Sequence, residues 1–326
     1  MEKVFVTRRL PQKGLLRITE KYDADVWPLQ EPPTRDQIMD RGRDCEGLVT
    51  LLSDPIDAEV IAALPKLRVI AQYAVGYDNI DVSAATAAGI IVTNTPGVLT
   101  ETTADLTWAL ILAASRRVVE GDRYVRDGKW SVAWGPELML GEDVHGATLG
   151  IVGFGRIGQA VARRAKGFGM RVLYHTRRNT KEQHKAAEEA GAQAVSFGQL
   201  LKESDIVSLH VPLTEETRNM IDTDALNQMK RGSILVNTSR GAVLDENAVY
   251  NALVSGHIFA AGLDVFQTEP IPEESPLMTL PNVVLAPHIG SASRHTRNVM
   301  AEMCADNLDA ALHGEKPPNI VNPEVL

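Results

Sequence analysis

Thr148-Leu149-Gly150-Ile151-Val152-Gly153-Phe154-Gly155-Arg156-Ile157-Gly158-Gln159-Ala160-Val161-Ala162 decides the fold. An apolar, β-branched run enters a glycine-rich turn and leaves it in a helical pattern, the strand-to-helix setting in which GxGxxG binds a dinucleotide. Gly153 permits the tight turn, Gly155 lets a pyrophosphate approach the backbone, and Gly158 lets the helix pack on the strand. The N–H groups of the first helical turn, which opens with Arg156 and Ile157, then face the phosphates. A glycine-rich turn with no ligand is the bland alternative, and the flanking strand and helix weigh against it.

The same alternation continues on both sides. Downstream, strands are expected near Arg171–Tyr174, Ile206–His210, Ser233–Asn237, Ala260–Val265 and Val283–Ala286, which with the first makes the six strands of a dinucleotide-type sheet. Upstream, strands are expected at Lys3–Thr7, Glu46–Leu52, Arg68–Gln72 and Ile90–Thr93, with helices at Ile56–Leu64 and Val82–Ala88. Leu99 to Asp127 reads as one buried helix joining the two series, because its apolar residues fill more than one face. A last helix over Ser293–His313 places Cys304 in the core. The class is α/β, with two doubly wound parallel-sheet domains.

Composition narrows the function classes. The 326 residues are 44% hydrophobic, 23% charged and 5% aromatic, which suits an ordinary soluble α/β protein and excludes disordered, collagen-like and coiled-coil chains. The longest apolar run, Leu106–Ala114, stops at Ser115-Arg116-Arg117, short of the roughly 20 residues that a membrane helix needs. The N-terminus has no signal-peptide pattern, so a cytoplasmic location is expected. Cys45 and Cys304 are the only cysteines and have no metal-ligand spacing, so neither a disulfide nor a metal site is expected. A net charge of -9 disfavours nucleic acid as a partner, and an anionic ligand must be held by a local site.

The end of the second strand of the cofactor series reads Leu173-Tyr174-His175-Thr176-Arg177-Arg178. An acid there would bind the ribose hydroxyl of NAD, whereas arginine suits the 2′-phosphate of NADP. Arg177 and Arg178 offer that forked geometry, so NADP(H) is expected over NAD(H), the alternative being that both are surface charges.

Three further segments complete a recognisable set: Asn237-Thr238-Ser239-Arg240-Gly241, Gly262-Leu263-Asp264-Val265-Phe266-Gln267-Thr268-Glu269-Pro270 and Pro287-His288-Ile289-Gly290-Ser291-Ala292. With Ala74-Val75-Gly76-Tyr77-Asp78-Asn79-Ile80-Asp81 and the glycine turn, the chain resembles the D-isomer-specific 2-hydroxyacid dehydrogenases over nearly its whole length. The resemblance implies a catalytic trio of Arg240, Glu269 and His288. Arg240 would fork onto the carboxylate of a 2-oxo acid and stabilise charge on its carbonyl oxygen. His288 would donate the proton to the new alkoxide, and Glu269 would hold and charge the imidazole. Singly, each residue could be a salt bridge, a surface acid or a cap. Arg240 and His288 each follow an apolar strand at its carboxyl end and Glu269 lies just beyond another, where open α/β sheets bind ligands.

The resemblance also implies that Val75 and Gly76 offer backbone N–H groups to the substrate carboxylate. Thr176, His210-Val211-Pro212, Thr238, Ser239 and Gly290 would line the cofactor, with Asp264 near its carboxamide; a capped turn is the alternative for Asp264. Within the family, the chain is similar to the glyoxylate/hydroxypyruvate reductases, on Leu99–Leu106, the loop Trp130–Trp134, the arginine pair and Ser291 with Arg294 and Arg297. That branch implies a homodimer in which Trp134 reaches the partner's pocket, with Ser291 beside the substrate; a Trp packed on its own domain is the alternative. It implies a flavodoxin-like substrate domain at 1–98 and 288–326, a Rossmann-type cofactor domain at 99–287 inserted in it, and an active site in the cleft between them. The expected reaction takes a small 2-oxo acid to glycolate or D-glycerate. Other D-2-hydroxyacid dehydrogenases, of D-lactate or 3-phosphoglycerate type, and nucleotide-sensing co-repressors of the same fold are the competing readings.

Overall fold

The computed structural model describes residues 1–177 and 180–326. Arg178, one of the two arginines read as phosphate partners, lies outside the described residues. The chain divides into two compact units, one of Met1–Leu99 with Ser291–Leu326 and one of Thr100–Gly290.

In the first unit β1 (Lys3–Val6), β2 (Asp23–Val26), β3 (Gly47–Thr50), β4 (Val69–Gln72) and β5 (Ile91–Thr93) form a parallel sheet in the order β2-β1-β3-β4-β5. This is the flavodoxin-like order. The inner strands are largely apolar and buried, and Phe5, Leu48 and Ile70 from them join Val92 of β5 in the core. β2 is absent from the sequence reading because it is an edge strand. Its Asp23-Ala24-Asp25-Val26 has no buried residue, so it carries none of the apolar pattern that marks a covered strand. The helix Arg294–Leu312 packs against β4, and the buried Cys304 Sγ donates to the Ala71 carbonyl (3.4 Å). Asn322 then ties the chain end to β5, accepting from Val92 N–H (2.8 Å) and donating to the Ile90 carbonyl (2.9 Å).

The second unit holds β6 (Thr148–Val152), β7 (Arg171–His175), β8 (Ala192–Ala194), β9 (Ile206–Leu209), β10 (Ser233–Asn237), β11 (Ile258–Leu263) and β12 (Val283–Leu285). All pair in parallel, in the order β12-β11-β10-β9-β6-β7-β8. The chain moves outward from β6 to β8 and returns to β9 on the other side of β6, the order of a dinucleotide-binding sheet with one strand added at its far edge. Among the described residues the sheet has seven strands and not six. β8 escaped notice because Ala192-Gln193-Ala194 is short, edge-placed and without a β-branched residue.

Leu99 to Asp127 is not one helix. It breaks into Thr100–Ser115 and Val118–Arg126 at Arg117, whose φ of 53° is left-handed. Arg117 is held there by Glu120 (2.8 and 2.6 Å) and by the Leu140 carbonyl (3.3 Å). Only the first helix is buried: Trp108 stacks on Phe168 at 4.6 Å and donates to the Val161 carbonyl (3.1 Å). The second has no buried residue. Among the described residues no helix is long and apolar enough to cross a membrane.

The closest helix contact of the first unit yields a stability test. Gly14, in the helix Gln12–Thr19, faces Ala301, and a Cβ built on it falls 2.3 Å from the Ala301 carbonyl. Gly14→Ala is expected to force the two helices apart and cost about 1–3 kcal/mol, seen as a lower urea midpoint at an unchanged slope. A midpoint equal to the parent's would show that the pair separates without penalty.

Candidate active site

The glycine turn is built as its chemistry requires. Gly153 has a φ of 95°, and a Cβ on it would lie 2.5 Å from the His210 carbonyl oxygen, so the β6 and β9 loops touch backbone to backbone. A Cβ on Gly158 would fall 2.2 Å from the Gly153 carbonyl, which packs the helix Arg156–Ala165 against the turn. Gly155 differs: its Cβ position meets no atom of the protein within 4 Å, and no side chain caps the helix that it begins. The N-terminal N–H groups of that helix, from Arg156 and Ile157 onward, have no partner within the helix, and the positive end of its dipole faces the same open side. These features fit the pyrophosphate of a dinucleotide.

At the end of β7 the partly buried Thr176 follows His175, and no acid stands there. The Arg177 guanidinium pairs with Glu216, both side chains being well exposed. His210 places its carbonyl against Gly153, while its ring contacts Ser208 Oγ (2.8 Å) and burial pushes its pKa down to about 3. The ring is therefore neutral at neutral pH. Thr238 is buried, its hydroxyl 2.9 Å from that of Thr107. Ser239 donates to Asn237 Oδ1 from both its N–H (3.0 Å) and its hydroxyl (2.8 Å).

Arg240, Glu269 and His288 stand on the loops that follow β10, β11 and β12. Asn237, at the end of β10, donates to the Arg240 carbonyl (2.8 Å), and Arg240 Nη1 bonds the Ser239 carbonyl (2.8 Å). Next to it, Gly241 touches the neighbouring loop so closely that a Cβ would fall 1.8 Å from the carbonyl carbon of Phe266. The Phe266 N–H in turn donates to Glu269 Oε1 (3.1 Å), and Glu269 Oε2 meets His288 Nδ1 at 2.7 Å. Burial raises the Glu269 pKa, but the bond and charge of His288, with Phe266 N–H and Arg240, outweigh it and hold the carboxyl below its ordinary value. Glu269 is thus a carboxylate at neutral pH. With Nδ1 engaged, Nε2 is the nitrogen of His288 left to face a substrate. His288 itself lies in the left-handed region, φ 52°, with its backbone tied to Asp264.

A family model described as D-isomer specific 2-hydroxyacid dehydrogenase, NAD binding domain, matches residues 108–290. The chain belongs to the D-isomer-specific 2-hydroxyacid dehydrogenase family. This dehydrogenase is 61% identical over 324 residues to a glyoxylate reductase of Korarchaeum cryptofilum, covering 99% of this chain and 97% of that protein. A glyoxylate reductase of Thermococcus litoralis is 54% identical over 327 residues, covering 99% and 98%. A solved structure of the NADPH-dependent glyoxylate/hydroxypyruvate reductase of Sinorhizobium meliloti, in complex with NADP and malonate, superposes with a TM-score of 0.87. Its identity is 33%, and the match covers 99% of this chain and 97% of that one.

Other residues of the dehydrogenase read from the sequence fall as follows. In the first unit, the carbonyls of Val75 and Gly76 accept from Asn94 Nδ2 (2.8 Å) and Gln72 Nε2 (3.2 Å). Ser291 opens the second segment of that unit, where its carbonyl accepts from Ser293 N–H (2.9 Å). In the second unit, Val211 and Pro212 continue the loop from His210, and Trp134 is 77% exposed beside Trp130. Asp264 does not sit in an open turn: it is 1% exposed, and both carboxylate oxygens are engaged by backbone N–H groups of Ile289 and Gly290. That tie explains why the chain passes into the first unit at Ser291 and not at 288, as read from the sequence, since Ile289 and Gly290 are anchored to the cofactor sheet. Asn237 was quoted in a motif and given no task, although a polar residue closing an otherwise apolar strand is the signal for one.

Gly153→Ala is expected to push the β6 turn off His210 and to weaken dinucleotide binding at least about tenfold, measured by titrating protein fluorescence with NADPH. An affinity equal to the parent's would show that the turn does not carry the cofactor.

Proposed function

We propose that this dehydrogenase is a glyoxylate reductase that also reduces hydroxypyruvate, giving glycolate and D-glycerate. The observation that carries it is the His288 Nδ1 to Glu269 Oε2 contact at 2.7 Å, with Glu269 fixed from its other oxygen by Phe266 N–H. A carboxylate held on one ring nitrogen fixes the ring and orients the other nitrogen as a proton donor. Reduction of a 2-oxo acid needs such a donor on the carbonyl oxygen and a forked cation on the carboxylate. Arg240 supplies the fork and stabilises the growing oxyanion. The family resemblance assigns Val75, Gly76, Ser291 and Trp134 to substrate binding, and the carbonyls of Val75 and Gly76 are tied to Asn94 and Gln72. The names of the curated relatives, both glyoxylate reductases, support the substrate class.

The glycine turn, with Thr176, His210, Val211, Pro212, Thr238, Ser239 and Gly290, holds the dinucleotide. When bound there, the reduced nicotinamide supplies the hydride. We further propose that NADPH is preferred over NADH: the end of β7 carries Arg177 and no acid. The pairing of Arg177 with Glu216 does not oppose this, because an exposed ion pair contributes little and a doubly charged 2′-phosphate competes with it. The relative that binds NADP, from Sinorhizobium meliloti, supports the same preference.

A homodimer is the proposed assembly. Trp130, Val132, Trp134 and Leu140 in one loop are 54–77% exposed, an apolar display that soluble chains rarely leave uncovered. Sedimentation should give a dimer for the parent and a shift toward monomer for Trp134→Ala; a monomeric parent would remove the assembly.

For the chemistry, kcat/KM for glyoxylate is expected to fall roughly 10²- to 10⁴-fold in His288→Ala and by at least about 100-fold in Arg240→Ala, with both variants folded by circular dichroism. Near-parental turnover in either would remove its assigned role. Run with both cofactors, the same assay should favour NADPH, and a preference for NADH would end the Arg177 reading while leaving the reductase intact.

A further inference from the structure

Asp264 directly follows β11 and grips three successive amides across the sheet edge. Its main-chain carbonyl accepts from His288 N–H (2.9 Å), its Oδ1 from Ile289 N–H (2.7 Å) and its Oδ2 from Gly290 N–H (2.8 Å). Its own N–H donates to the Asn237 carbonyl (3.0 Å), which locks it to β10. The middle of the grip is crowded: a Cβ on Gly290 would sit 3.2 Å from Asp264 Oδ2 and 3.4 Å from Thr103 of the helix Thr100–Ser115. The gripped segment begins with His288 in the left-handed region, which a histidine adopts only when its surroundings hold it there.

We propose that Asp264 is a positioning residue for the proton transfer, fixing the His288–Ile289–Gly290 turn and so aiming the imidazole. The proposal rests on the reading of His288 as proton donor. The carboxylate form is what grips, since ionised acceptors bind two N–H groups at once. A protonated carboxyl would set a hydroxyl hydrogen against one of those amides and give up a bond.

Burial raises the Asp264 pKa to about 6, against the lowering effect of the two amides and His288; Glu269 adds to the rise. His288 and Glu269 are the charged groups that act on Asp264, and the helix behind the turn presents the neutral Thr103. The sign follows. Below about pH 6 Asp264 is neutral and the turn loosens, so turnover falls as pH drops through 6. A simple proton donor would show the reverse, because its active acid form grows as pH drops.

The test combines kinetics with NMR on the whole enzyme. Asp264→Asn keeps one acceptor and sets an amide donor against a backbone N–H. It should lower kcat for glyoxylate by about 100-fold with little change in KM, and abolish the acidic fall of kcat seen in the parent. In the parent, the amide resonances of Ile289 and Gly290 should titrate with a midpoint near 6. A parental kcat in Asp264→Asn, or amides of the parent that do not move over this range, would overturn the proposal. If the variant does not fold, the amide titration of the parent decides alone. A parent that never turns over glyoxylate ends the functional reading, and the amide titration still supports or overturns the grip.

Discussion

The reversal of strand order beside β6 is the constraint on which the second unit depends. β7 and β8 lie on one side of β6 and β9 to β12 on the other, so the chain reverses its direction across the sheet between β8 and β9. A parallel sheet opens a crevice at such a point, and Arg240, Glu269 and His288 stand on loops at the carboxyl edge of the strands. The close approach of Gly153 to His210 sets one wall of the crevice. The stacking of Gly241 on Phe266 sets another, and from it a chain of bonds runs through Glu269 to His288. The placement of Glu269 and His288 is thus an outcome of backbone contacts that only glycine permits.

Much of this was legible in the sequence, for physical reasons. Gly153, Gly155 and Gly158 announce themselves because each is needed where a Cβ would meet backbone or ligand. The inner strands announce themselves because a sheet covered on both faces must be apolar throughout. Arg240, Glu269 and His288 were found through the segments around them, since each ends or follows an apolar strand. Two of the edge strands were not legible: β2 and β8 bury almost nothing, and burial is what writes a strand into sequence.

Conformation and second-layer bonding were equally hidden. Nothing in the letters of Arg117 or His288 says that either backbone turns left-handed, because in each case a distant residue takes part in holding it, the Leu140 carbonyl for one and Asp264 for the other. The same holds for Asp264. The family resemblance placed it near the cofactor, whereas its oxygens face backbone amides 25 and 26 positions further along the chain. Long-range hydrogen bonds leave no periodicity for a sequence reading to detect.

The first unit is discontinuous, and this bears on how the chain matures. The cofactor-binding unit is one uninterrupted segment and has all its strands once the ribosome has passed Gly290. The first unit, although begun earliest, lacks the helix Arg294–Leu312 that covers its sheet and the Asn322 clasp on β5 until the last residues emerge. Its earliest strands therefore wait, with an apolar face uncovered, through the synthesis of the whole inserted unit, and order reaches the two units in the opposite sequence to their appearance from the tunnel.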